Sequence, residues 1–270
     1  MTTEYIFILL GTGVGAGFAS GLLGLGGGFI MIPVTYWVTA AMGIPQATAI
    51  RIAFGTSLLV ILPTATSGAW RHNKKKAVRW KAALILGLCG SVGAIGGATL
   101  AAHIPGRALE IGFGGLLLAL AVWLGLGMTP KLAREGLEPR DNPWPLAACG
   151  FSIGVATGLT GMGLGALIIA ALVLVLRFPM HTAIGTSLAS MIFTSLGGII
   201  GYIVNGIGVL GLPAYSIGYI NLPICLCLAA TSVPMAQLGA RTAHVLPAKQ
   251  LSYLIICIMV YIGLKMLGVF

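Results

Sequence analysis

Gly21-Leu22-Leu23-Gly24-Leu25-Gly26-Gly27-Gly28 recurs, in register, as Gly158-Leu159-Thr160-Gly161-Met162-Gly163-Leu164-Gly165. Gly17, Gly21, Gly24, Gly26 and Gly28 match Gly154, Gly158, Gly161, Gly163 and Gly165 at a constant shift of 137 residues, and Ser20 matches Thr157. Each copy lies between apolar segments rich in Leu, Ile and Ala. Glycine is costly in a regular helix, because it keeps backbone freedom that folding must remove. Two readings follow. The glycines let helices pack closely, or they break a helix and expose backbone N–H groups within the protein, the device by which transporters bind ions at membrane depth. The matched duplicate favours the functional break.

The surroundings place this motif in a bilayer. Of the 270 residues, 58% are hydrophobic and 7% charged, and mean hydropathy is +1.03; a soluble domain carries about 25% charged residues. The apolar runs last many residues without alternation, which predicts helices rather than barrel strands. Met1-Thr2-Thr3-Glu4 lacks a basic n-region, so no cleavable signal peptide is expected. In a soluble chain the formal charge of +10 would suggest nucleic acid. Here most basic residues lie between apolar segments, where they set topology and face anionic lipid, and no nucleic acid partner is expected. The cysteines (Cys89, Cys149, Cys225, Cys227 and Cys257) read as small buried hydrophobes, with no metal-site spacing and no redox pair.

The fold expected is an all-α polytopic membrane protein of two repeats. Apolar segments fall at roughly 5–22, 28–42, 47–70, 81–103 and 107–127, then 145–160, 164–178, 182–205, 215–238 and 249–268. The repeats are thus residues 1–127 and 145–270, joined by the hydrophilic linker 128–144. Further matches support duplication. Gly55-Thr56-Ser57-Leu58 recurs as Gly185-Thr186-Ser187-Leu188, Gly68 matches Gly198, and Gly97-Ala98 with Pro105 and Leu109 recurs as Gly239-Ala240 with Pro247 and Leu251. One departure is that Thr48-Ala49-Ile50 precedes Gly55 by several residues, whereas Thr182-Ala183-Ile184 abuts Gly185; an insertion of about four residues or a misalignment accounts for it. The loop 71–81 holds six Lys or Arg and no acid, so it and the linker are expected in the cytoplasm, with the loop 205–213 outside. Each half then crosses an odd number of times, and the repeats are inverted. The segments 5–22, 28–42, 145–160 and 164–178 are short against a hydrocarbon core of about 30 Å. They predict two re-entrant hairpins whose glycine tips meet near the midplane, beside six full spans; ten thin spans are the alternative.

The glycine motif, Gly55-Thr56-Ser57-Leu58, and Ser67-Gly68 with Arg71-His72, in this order, resemble the sulfite exporter TauE/SafE family of membrane permeases. The resemblance covers essentially the whole chain. It implies a multi-pass protein of the bacterial inner (plasma) membrane that transports sulfur-containing anions such as sulfite, thiosulfate or sulfonates. It implies no cofactor, and leaves open a coupling ion (H+ or Na+) and a homodimer. His72 has no histidine counterpart in the second half.

An anion in a bilayer needs N–H donors, hydroxyls or a cation, without competing carboxylates. Within the apolar segments the only acid is Glu110, three residues after Arg107 on one helical face, which reads as a structural pair; this inventory argues against a cation substrate. Helices starting at Gly28 and Gly165 would aim positive dipole ends at the midplane. The candidate substrate-binding groups are therefore the backbone at Gly24, Gly26, Gly27 and Gly28 and at Gly161, Gly163 and Gly165. Hydroxyls would come from Thr56, Ser57, Thr186 and Ser187, which could instead bond back to their own helix or to a neighbour. Arg51 and His181 are candidate cations, with interface placement as the alternative. Gln237, Asn205 and Asn221 read as helix-end partners. No nucleophile–base pair, phosphate loop or metal cluster is present, so no enzyme is expected. The function expected is an anion exporter working by alternating access. A passive anion channel or uniporter, and a non-transporting membrane assembly protein, are the alternatives.

Overall fold

A computed structural model describes residues 3–24, 26–126, 142–242 and 248–269. Most of the linker expected at 128–144 lies outside them, as does Pro247. Among the described residues the chain is all-helical apart from one two-residue strand pair. The first half holds α1 (Thr3–Leu23), α2 (Gly28–Ala41), α3 (Gln46–Lys74), α4 (Trp80–His103) and α5 (Gly106–Gly125). The second holds α6 (Pro143–Thr160), α7 (Gly165–Ala170), which widens into a π-turn at Ala171–Val175, and α8 (Met180–Gly206). The hairpin of β1 (Ser216–Ile217) and β2 (Ile220–Asn221) follows, then α9 (Leu222–Thr242) and α10 (Ala248–Leu267). Among the described residues six helices are long and apolar enough to cross a membrane. One of them corrects an expectation. The segment at 5–22 is not a short leg: α1 runs 21 residues, long and apolar enough to cross a bilayer, before the glycine turn stops it.

Prolines punctuate the long helices. Pro45, Pro105 and Pro179 stand at the N-caps of α3, α5 and α8 with ψ near 140°, because a fixed φ and a missing N–H suit a helix boundary. α6 starts with Asn142, whose side chain accepts from the Trp144 N–H, and with Pro143 in its first turn.

α3 and α8 form the centre and run antiparallel: Gly68 faces Leu188 while Gly198 faces Leu58. α2 leads through residues 42–45 into the start of α3, and α7 leads through 176–179 into the start of α8. The α1–α2 and α6–α7 hairpins therefore enter from opposite ends of the central pair. Around this centre α1 packs on α9, α6 on α4, α4 on α8, α9 on α3, and α5 on α10.

The contacts recur in matched pairs. Gly13, Gly17 and Gly21 of α1 press on the backbone of Leu228, Ser232 and Ala236, as Gly150, Gly154 and Gly158 of α6 press on Leu86, Gly90 and Ala94. Gly239 meets the Phe18 carbonyl as Gly97 meets that of Val155. Close helix approach without room for a side chain is what small residues supply in a membrane. The packing reading of the motif thus holds for its early glycines, and the helix break belongs to its later ones.

The repeat departure before Gly55 also resolves. Pro45 lies ten residues ahead of Gly55, and Pro179 six ahead of Gly185, so α3 carries four extra residues at its start. Four residues make about one helical turn, which leaves the inward face unchanged. The position of His72 is filled in the second half by Tyr202. A Cβ on Gly185 would sit 3.0 Å from His72 Cβ, and a Cβ on Gly55 would sit 3.0 Å from Tyr202 Cβ. α3 extends to Lys74, so His72 is a buried helical residue rather than part of a loop.

Candidate functional site: the meeting of two glycine tips

α1 and α6 end with the same bond. The Gly24 N–H donates to the Ser20 carbonyl and the Gly161 N–H to that of Thr157, both at 2.8 Å. Gly24 and Gly161 then take φ of 70° and 64°, the left-handed conformation that reverses a helix at low cost only for glycine. The chain turns and re-enters helix at Gly28 and Gly165, with Gly27 (φ 68°) and Leu164 (φ 41°) as N-caps. Leu164 matches Gly27 and holds a left-handed conformation without glycine's freedom, a local strain in the second tip.

The two tips touch. A Cβ on Gly26 would lie 3.6 Å from Gly163 Cα, one on Gly28 would lie 3.3 Å from Met162 Cα, and one on Gly165 would strike the Gly24 carbonyl oxygen. The junction sits against Ile61 and Met191, near the middle of α3 and α8. Met191 is the plug. Its Cε would meet a Cβ on Gly26 at 2.5 Å and one on Gly163 closer still, and its Sδ is 3.0 Å from a Cβ on Gly165. The Ile30 and Leu167 N–H groups donate back to the Gly27 and Leu164 carbonyls; those of Gly28 and Phe29 and of Gly165 and Ala166 have no acceptor within their own helices, and the two helix starts add their positive dipole ends at one place.

The hydroxyls divide into two kinds. Thr56 Oγ1 accepts from the Asn221 N–H at 3.0 Å, and Thr186 Oγ1 accepts from the Arg79 N–H at 3.1 Å. These are one bond built twice, clipping the segments that open α9 and α4 to the central pair. Ser187 lies 3.8 Å from a Cβ on Gly24 and donates to the Ile184 carbonyl. Ser57 Oγ and Thr157 Oγ1 are buried and have no hydrogen-bond partner among the described residues.

The cations are elsewhere. Arg51 donates from Nε to the Ala101 carbonyl (3.2 Å) and from a terminal nitrogen to that of Ile104 (2.9 Å), and stacks over Tyr219. It closes the C-terminal end of α4, where unpaired carbonyls favour a cation. His181 is exposed at the start of α8. Both lie ten residues, about 15 Å along a helix, from the junction residues Ile61 and Met191, so the structure does not bring them to the tips. Glu110 is buried, accepting from Tyr36 Oη at 2.6 Å and from Arg107 at 2.9 Å. Arg107 also donates to the Met266 and Leu267 carbonyls at the end of α10. Asn205 donates to Thr99 Oγ1 and Asn221 caps α9 through the Ile224 N–H, both as helix-end partners.

Sequence reasoning missed Ile61 and Met191. The available signal was their position, each six residues after its Gly-Thr-Ser-Leu glycine. That the threonine hydroxyls bond to a neighbour is an alternative the sequence leaves open; the partners, the Asn221 and Arg79 N–H groups, are given only by the fold.

A family model described as Sulfite exporter TauE/SafE matches residues 9–266. The chain is 29% identical to a probable membrane transporter protein of Methanocaldococcus jannaschii over 263 residues, 96% of this chain and 94% of that one. It is 29% identical to one of Haemophilus influenzae over 256 residues, 92% of each. A third, from Xylella fastidiosa strain 9a5c, is 31% identical over 71% of each chain. No solved structure matches the chain. The match from end to end, over the helices and tips described above, means that this chain belongs to the TauE/SafE sulfite exporter family of membrane transporters.

Proposed function

We propose that the chain exports small sulfur oxyanions, sulfite or an organosulfonate, across the bacterial inner membrane by alternating access of two inverted repeats. The repeats are residues 1–127 and 145–270, with the linker 128–144 in the cytoplasm. The observation that carries this reading is the convergence of the two tips at mid-length of α3 and α8. A trigonal or tetrahedral oxyanion presents several oxygens, each able to accept hydrogen bonds. Two facing helix starts supply several N–H donors without a buried full charge, which keeps binding moderate so that the cargo can leave. Ser57, with its hydroxyl uncommitted, is the side chain best suited to add a donor. In this structure Met191 fills the junction, so passage requires its flexible thioether to swing aside.

The repeat reading is supported by the paired contacts. Exchanging α1–α5 with α6–α10 maps the α1–α9 seam onto α6–α4, the α3–α9 seam onto α8–α4, and the Thr56 clip onto the Thr186 clip. Such an exchange is what a twofold axis between duplicated halves produces, and opposite entry of the two hairpins supports the reading of an axis in the membrane plane.

Flux of sulfite into liposomes holding purified protein tests the proposal. Gly163→Leu is expected to abolish flux while the protein still inserts, because its side chain would occupy the junction. Undiminished flux would mean that the anion travels elsewhere. Dependence of wild-type flux on a proton or sodium gradient separates alternating access from a passive uniporter.

A further inference from the structure

Two seams that the repeat relates are unequally filled. Along α8 and α4, Gly87 faces Phe193, Gly90 faces Thr194, and Gly197 faces Ser91, whose hydroxyl donates to the Phe193 carbonyl. Along α3 and α9, Thr64 and Ser232 hold together at 3.3 Å. Pro63 and Pro234 lie within α3 and α9 at this level, where the matched residues of the filled seam are Phe193 and Val92. Proline removes a helical hydrogen bond and kinks its helix. At this level lies an open surface groove of about 570 Å³ walled by Leu62, Pro63 and Val233, with Ser67, Gln237 and Trp70 also lining it.

This groove is separate from the tips. Ile61 and Gly68, which face the junction and α8, lie on one side of α3; Leu62, Pro63, Thr66, Ser67 and Trp70 lie on another, at helical spacings of one, four and five residues. Trp70 is 52% exposed. The chemistry of the rim is one-sided. Lys74 Nζ sits 3.7 Å over the Trp70 ring, and Arg241 is exposed one turn beyond Gln237 on α9. The described acids, Glu4 and Glu110, belong to the opposite end of the molecule. Ser67 Oγ is buried with no hydrogen-bond partner among the described residues.

We propose that the groove holds one anionic phospholipid. An acyl chain lies along Leu62, Pro63 and Val233, the Gln237 amide meets the ester or glycerol oxygens, and the phosphate rests by Lys74 and Arg241. Clustered Lys and Arg beside helix ends are what anionic headgroups recognise, and a Trp at that level marks the interface. A second copy of the chain fits less well, because it would set this basic rim against a like-charged one. The proposal rests on the chain lying in a membrane and not on the transport reading.

Native mass spectrometry of the full chain, equilibrated with equal amounts of phosphatidylglycerol and phosphatidylcholine, tests it. One phosphatidylglycerol retained per chain, in preference to phosphatidylcholine, is expected. Lys74→Gln combined with Arg241→Gln is expected to abolish the preference, and Ser67→Trp to abolish retention by filling the groove. If Ser67→Trp does not elute as a monodisperse species, Gln237→Trp from the opposite wall serves instead. Equal retention of the two lipids, or full retention in the filled-groove variant, overturns the proposal. So does displacement of the lipid by sulfite, or cross-linking of Trp70→Cys between two copies in the membrane. The readout is bound mass, so it stands apart from any failure of sulfite flux.

Discussion

Met191, which fills the space between the tips, and Ser57, buried on α3 with an unpartnered hydroxyl, are separated by single substitutions. Met191 is fully buried, and Met→Ala in a core costs about 2–5 kcal/mol. Met191→Ala is therefore expected to lower the thermal midpoint of purified protein and yet to raise sulfite flux, because the plug between Gly26 and Gly163 is gone. A variant that is destabilised and also slower would show that Met191 only packs. Ser57 has no intramolecular bond to lose, so Ser57→Ala should leave the thermal midpoint at or above that of wild type, because it removes a buried hydroxyl that has no partner. If its hydroxyl donates to the anion, a charge-assisted bond of about 1.5–3 kcal/mol is lost, and apparent affinity falls roughly tenfold or more. Unchanged affinity in a flux titration removes Ser57 from the site.

At the scale of elements, the clips and ties decide how helices sit rather than what binds. Thr56→Val and Thr186→Val keep side-chain volume but strip the acceptor from the Asn221 and Arg79 N–H groups. Losing the acceptor for a buried donor costs about 1–3 kcal/mol. Both variants are expected to denature at lower temperature in detergent, and the effect of the double variant tells whether the clips act independently. Tyr36→Phe is a second case. It removes the phenol that donates to the buried Glu110 carboxylate and so loosens α2 from α5; a bond to a charged partner contributes about 1.5–3 kcal/mol. A thermal midpoint equal to that of wild type would show that Arg107 alone satisfies Glu110.

For the whole molecule, the inverted arrangement makes a prediction about sides. Leu210, 94% exposed between α8 and β1, and Lys76, between α3 and α4, should lie on opposite faces of the membrane. With the native cysteines replaced, a membrane-impermeant maleimide added from the periplasm is expected to label Leu210→Cys in intact cells and Lys76→Cys only after lysis. Labelling of both from one side would rule out the orientation on which the cytoplasmic linker rests.

Local chemistry was enough for a large part of this protein. The duplicated Gly21–Gly28 and Gly158–Gly165 stretches, the runs of apolar residues and the scarcity of charge determined a helical membrane protein with two broken hairpins, because glycine spacing and hydropathy act through the backbone and the solvent. The Arg107–Glu110 pair was legible for the same reason, since residues three apart share a helix face. Three things waited on the tertiary structure. Nothing local distinguishes an early glycine that packs on α9 from a later one that turns the chain, since both lack a Cβ and only the neighbour differs. The Thr56 and Thr186 hydroxyls are committed to backbone groups on segments far along the chain, which no periodicity encodes. Arg51 reads as a deep cation in one dimension, yet the fold turns it onto the carbonyls that end α4, while an uncharged methionine, unremarkable in the sequence, is carried to the point where the two tips meet.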